Sequence, residues 1–142
     1  MSSASLQRTA VHCFSSFLLA TQCQAEPENW TLVRSMPTTA YYLSKATNQI
    51  HERYLTYWIL VNFNYDPKFE GAEPYMSAKL LRYANCATRQ QDTVALFQYR
   101  APMGRGQPIW AQSFDDATMR MEAVEPGSLS AQILDMACSF KE

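Results

Sequence analysis

The most regular hydrophobic pattern in the chain lies at Ile50–Tyr65, IHERYLTYWILVNFNY. Leu55, Tyr57, Ile59, Val61, Phe63 and Tyr65 share one parity, with Thr56, Asn62 and Asn64 on the other. Period-two alternation predicts a half-buried strand. Trp58 and Leu60 make its middle apolar on both faces, as expected of a central strand. Before it, Trp30–Ser35 and Thr39–Ser44 have strand composition and are separated by Met36-Pro37-Thr38. After it, Asp66–Pro74 holds two prolines and a glycine and reads as a loop. Ser77–Cys86 reads as a strand, although its Ala, Lys and Leu also allow helix. A short polar turn around Thr88-Arg89-Gln90 leads to a strand over Gln91–Ala101. Consecutive strands with tight turns predict hairpins and an antiparallel sheet. Pro102–Pro108 reads as a long loop, and Met119–Val124 as a weak last strand.

The period then changes. Ser128 is a good N-cap. Leu129, Ile133, Met136, Ala137 and Phe140 recur at helical spacing, predicting an apolar stripe that faces the sheet. Cys138 falls about 180° from Leu129 at 100° per residue. Either the helix has frayed by that point or its far side is also covered. The fold class is therefore α+β: an antiparallel sheet of about six strands with a C-terminal helix packed on it.

Residues 1–25, MSSASLQRTAVHCFSSFLLATQCQA, carry Arg8 as their one charge, then an apolar stretch, then small residues at Cys23 and Ala25. This is the order of a secretory signal, and the stretch is too short and broken to span a bilayer. The alternatives are a buried N-terminal helix or a lipid anchor on Cys23, for which Thr21 and Gln22 are poor neighbours. Cleavage after Ala25 would leave a single domain over 26–142 with no membrane-spanning segment. It would also remove Cys13 and Cys23, leaving Cys86 and Cys138. An even pair in an exported chain reads as one disulfide; two buried free thiols are the alternative in a chain that stays inside.

The net charge of −1 offers no electrostatic footprint for nucleic acid or an anionic membrane. His51 is the only histidine after residue 25. Its neighbours Glu52 and Arg53 suggest an exposed strand end, so no Ser-His-Asp or Cys-His constellation is legible. One histidine and two paired cysteines do not make a metal site, and Asp115-Asp116 reads as a solvated turn. No catalytic residue and no cofactor is expected. Gly104-Arg105-Gly106 lacks the Gly-Lys-Ser/Thr of a phosphate loop, and its glycines suit a turn needing φ > 0. Asn29-Trp30-Thr31 matches the N-glycosylation pattern, which matters only in a eukaryotic secretory route.

Several features, taken in order, carry a family resemblance. Trp30 opens the first strand. Tyr41-Tyr42 and Trp58 sit in the next two. Ser77-Ala78-Lys79-Leu80 leads to Cys86, and Met103-Gly104-Arg105-Gly106 forms a loop. Pro126-Gly127-Ser128 precedes the helix that ends at Cys138. The chain resembles the surface-adhesin protein E family of small exported Gram-negative bacterial proteins. The resemblance implies about six antiparallel strands, a C-terminal helix held by a disulfide, and dimers. It also implies adhesion to host epithelium and to matrix proteins such as vitronectin and laminin. The expected function is therefore a non-enzymatic exported binding protein at the cell surface. The rival is a periplasmic envelope protein, or an inhibitor of a wall-degrading enzyme, with no adhesive role. Arg100, Met103, Arg105 and Trp110, around the glycine-rich loop, are the candidate contacts with a protein ligand, because Arg, Met and Trp are enriched in interfaces.

Overall fold

In a computed structural model of the chain, residues 29–44, 48–49, 54–64, 75–115 and 120–140 are described. The elements run β1 (Trp30–Ser35), β2 (Thr39–Ser44), β3 (Asn48–Gln49), β4 (Tyr54–Phe63), β5 (Ser77–Asn85), β6 (Gln90–Tyr99), β7 (Pro108–Ser113), β8 (Glu122–Ala123) and α1 (Leu129–Ser139). Six strands form one antiparallel sheet in the order β1-β2-β4-β5-β6-β7. The two-residue strands β3 and β8 add to β4 and β6. The expected α+β class and strand number are thus found.

The sheet positions side chains through its register. Leu43 faces Ile59, Leu55 faces Ala84 and Tyr57 faces Arg82. Leu43, Leu55, Tyr57 and Ile59 pack with Ala131, Ile133, Leu134 and Ala137 of α1 as one core. The parity read from the sequence at Leu55, Tyr57 and Ile59 is the parity that faces the helix. Tyr57 is fully buried, and its hydroxyl donates to Gln91 Oε1 at 2.6 Å. Burial pushes this phenol up to about 12, with the nearby Arg82 charge acting in the opposite direction.

The opposite face, on residues of the other parity, carries Trp58, Leu60 and Asn62 of β4. Opposite them stand Leu81, Lys79 and Ser77 of β5. Aromatic pairs line its length: Tyr54 stacks on Tyr83 with ring centroids 5.3 Å apart, and Trp58 meets Phe97 at 5.8 Å. Leu60 is fully buried on this face, so the centre of β4 is apolar on both sides, as its composition requires.

Helix α1 begins as expected. Ser128 is the N-cap, and its Oγ accepts from the Ala131 N–H at 3.1 Å. Its apolar face is rotated from the expected stripe, however. Ala131, Ile133, Leu134 and Ala137 are buried, whereas Leu129, Met136 and Phe140 only flank the core. Ala131, Leu134 and Cys138 are spaced by three and seven residues, which places them on one face. Cys138 is therefore carried round beside the buried face, where it is partly buried against the core. The helix continues past it to Ser139, so fraying is not the reason. Cys138 is bonded to Cys86, just beyond the end of β5, with Cα atoms 6.0 Å apart.

Three further boundaries differ from expectation. The strand expected to end at Ala101 stops at Tyr99. Within the described part of the weak last strand, only Glu122–Ala123 is strand. The segment after the glycine-rich loop forms β7, which hydrophobic periodicity did not reveal. Residues 1–25, His51 and Asp116 lie outside the described residues, and with them the expectations made there.

Candidate ligand-binding loop

The connection from β6 to β7 is built on polar side chains beneath it. Ser77 opens β5 and is fully buried. Its Oγ donates to the Ala101 carbonyl at 2.6 Å and accepts from the Gly104 N–H at 2.8 Å. Asn62, directly across the ladder, accepts from the Met103 N–H through Oδ1 at 2.8 Å. A single 3₁₀ turn, Pro102–Gly104, is held at three main-chain points in this way. Buried main-chain groups need such partners wherever no strand pairs with them.

Lys79 completes the support. It is 4% exposed, and its Nζ lies 4.8 Å from the Tyr99 ring centroid, a cation–π arrangement. Its aliphatic stem runs beneath Gly104, where a Cβ would come within 2.2 Å of Cε. Gly104 has φ +63° and Gly106 φ +80°, so the expectation of positive φ at these glycines holds. Met103 also adopts φ 59°, which is uncommon for a residue with a side chain. Strained backbone persists where surrounding contacts over-determine it, and it clusters at functional sites.

The candidate contacts take distinct places on this frame. Arg100 is exposed at the end of β6, and Met103 is half-buried in the turn. Arg105 is exposed just after the turn, its N–H reaching back to the Pro102 carbonyl at 3.4 Å. Trp110 lies on β7 opposite Gln98 and is 43% exposed. Arg100, Met103 and Arg105 thus share one short connection, and Trp110 follows on the strand it leads into. The supporting Asn62, Ser77 and Lys79 escaped the sequence reading. The available signal was Lys79 itself, a charge set between the apolar Ala78 and Leu80.

A frame of six antiparallel strands, one C-terminal helix bonded through Cys138 to the end of β5, and a glycine-rich β6–β7 turn is now defined. A model of the family described as Surface-adhesin protein E matches residues 30–139. The chain belongs to the surface-adhesin protein E family. No curated protein and no solved structure matches it. Membership implies an exported surface protein, and it covers every element from β1 to α1.

A concavity of about 340 Å³ lies at the start of α1 and is lined by Arg82, Asp92, Glu122, Glu125 and Ser130 among others. Asp92 is engaged with main-chain N–H groups of Thr93 and Arg120. Among the described residues no group of three or more His, Cys, Asp or Glu could hold a metal ion. Ser128, also on its wall, is committed to capping the helix. No helix among the described residues is long and apolar enough to cross a membrane.

Proposed function

We propose that this member of the surface-adhesin protein E family is a non-enzymatic binding protein that engages host-cell or extracellular-matrix proteins through the β6–β7 loop. Export would follow removal of residues 1–25, leaving 26–142 as the binding domain. The observation that carries the reading is the preorganised loop. Its main chain is fixed from below by Asn62, Ser77 and Lys79 and includes a non-glycine residue at positive φ. On its outer side it presents Arg105 and leads to the exposed Trp110. Fixing a loop in advance lowers the ordering cost of binding, and exposed Arg and Trp are the residue types that dominate protein interfaces.

The test is the double substitution Arg105→Ala with Trp110→Ala, assayed on immobilised matrix proteins and cultured epithelial cells. The expected result is loss of binding with an unchanged melting temperature. Binding equal to that of the unsubstituted chain would refute the loop assignment. Protease treatment of intact cells checks the location: digestion of the protein while a periplasmic marker is spared supports the adhesin reading. Protection until the outer membrane is broken supports the envelope-protein rival.

A further inference from the structure

The two ends of the sheet are not alike. At the β1 edge the ladder is interrupted by a bulge between Leu32 and Arg34, and Arg34 is exposed. A bulge and a charge are two of the devices that keep an edge strand from pairing with another chain. The β7 edge carries neither in its central part. Its six residues, PIWAQS, are all exposed and all uncharged. The single register shift in its ladder lies between Gln98 and Tyr99 of β6, at the Pro108 end.

The ladder also identifies which main-chain groups are open. The Phe114 N–H donates to the Val94 carbonyl. Hydrogen-bonded pairs alternate along an antiparallel ladder, so Gln112 with Leu96 and Trp110 with Gln98 are the bonded pairs that follow. Ala111, opposite Phe97, and Ser113, opposite Ala95, therefore turn their N–H and C=O groups away from β6. Four main-chain groups, two donors and two acceptors, face outward at the spacing a further strand requires.

We infer that β7 is a docking edge for an extended segment of a partner protein, added antiparallel to β7, with a carboxylate near that segment's C-terminal end. Strand addition to an open edge takes its affinity from main-chain bonds and its selectivity from alternate side chains. An antiparallel strand places its C-terminal end beside the start of β7, where Arg105 is exposed. Charge complementarity thus selects an acidic residue there, following an uncharged stretch opposite Ile109–Ser113. A second copy of this chain fits less well. Two six-residue strands about 20 Å long and ~10 Å deep bury roughly 400 Å² between them, far below the ~1,200 Å² of a specific stable interface. The dimer expected from the resemblance would need another surface. A partner segment can add contacts along the β6–β7 loop to those of the strand. This inference rests on the binding role proposed for that loop.

The experiment uses the full, oxidised, isotope-labelled chain and a synthetic probe, acetyl-Lys-Thr-Val-Thr-Val-Thr-Val-Thr-Glu-amide, in excess. The expected result is that the Ala111 and Ser113 amide resonances shift and their solvent exchange slows, with the exchange of the Trp110 and Gln112 amides unchanged. A probe N-methylated at alternate residues should have no effect. A probe with Lys and Glu interchanged should bind about twofold or more weakly, the worth of one exposed ion pair. Unmoved Ala111 and Ser113 amides at saturating probe overturn the inference. So does the same slowing produced by raising the protein concentration without probe, which would make a second copy the occupant. In the adhesion assay Ala111→Pro removes an edge N–H and leaves Arg105 and Trp110 in place. Full adhesion of a folded Ala111→Pro protein, with loss in the Arg105→Ala/Trp110→Ala protein, overturns strand addition and leaves the loop reading standing. Probe binding at β7 with full adhesion of the double variant overturns the loop reading instead.

Discussion

Adding one methyl group at Gly104 separates the two reasons for a glycine in this loop. Gly104→Ala places a Cβ at φ +63° and 2.2 Å from Lys79 Cε. The left-handed conformation costs a residue with a side chain about 1–2 kcal/mol. Displacing the Lys79 stem adds overpacking of about 1–3 kcal/mol, because Lys79 is buried and sits over the Tyr99 ring. The sum is roughly 2–5 kcal/mol, of which the first part recurs at Gly106. Gly106 has φ +80° and open space where a Cβ would stand, so Gly106→Ala should cost only about 1–2 kcal/mol. Urea unfolding of both variants gives the difference directly, provided the slopes stay equal. A Lys79→Ala background should then shrink the Gly104→Ala cost toward the Gly106→Ala value, since the colliding atom is gone. Equal costs at the two glycines in the unsubstituted background would refute the account of Lys79 as the floor of the loop.

Two further outcomes are expected. The Tyr57 phenol ionises near 10 in the unfolded chain and is pushed up to about 12 in the fold. The fold thus favours the neutral form: this contribution is complete below pH 10 and is lost as pH rises to about 12, to the extent of roughly 3 kcal/mol. Tyr57→Phe should remove that alkaline loss in denaturation curves while lowering neutral-pH stability by about 1 kcal/mol through the lost bond to Gln91. Replacing Cys86 and Cys138 together by Ala should destabilise the chain by about 4 kcal/mol on the chain-entropy model for a separation of 52 residues. A melting temperature unchanged by that double replacement would count against the cross-link as a main support.

Legibility from sequence followed burial. The central strand was readable because one side of β4 is covered by α1, which forces alternation on Leu55, Tyr57 and Ile59. β7 was unreadable for the converse reason: all of PIWAQS is exposed, so no face imposes a period. The helix was found, with its cap, but its facing was misjudged because Leu129, Met136 and Phe140 outweigh Ala131 in any hydrophobic count. Packing between the helix and the sheet instead buried Ala131 and Ala137 together with Ile133 and Leu134. The cysteine pairing was open to plain counting once residues 1–25, with Cys13 and Cys23, were set aside. The exposed half of the candidate loop was visible as Arg105 and Trp110. Its buried half was not, because Asn62, Ser77 and Lys79 lie 25 to 41 residues upstream of the turn residues they meet and reach them only through the strand register.

The bond between Cys86 and Cys138 also determines how the molecule would carry a pull. Tension applied to the chain beyond α1 passes at Cys138 straight into Cys86, and so into the end of β5, one of the two central strands. The segment between the two cysteines holds β6, the glycine-rich loop and β7, and it is a closed loop off the line of force. Shear acting on a tethered molecule would therefore load β5 and its ladder with β4 while leaving the proposed docking edge at β7 unstretched.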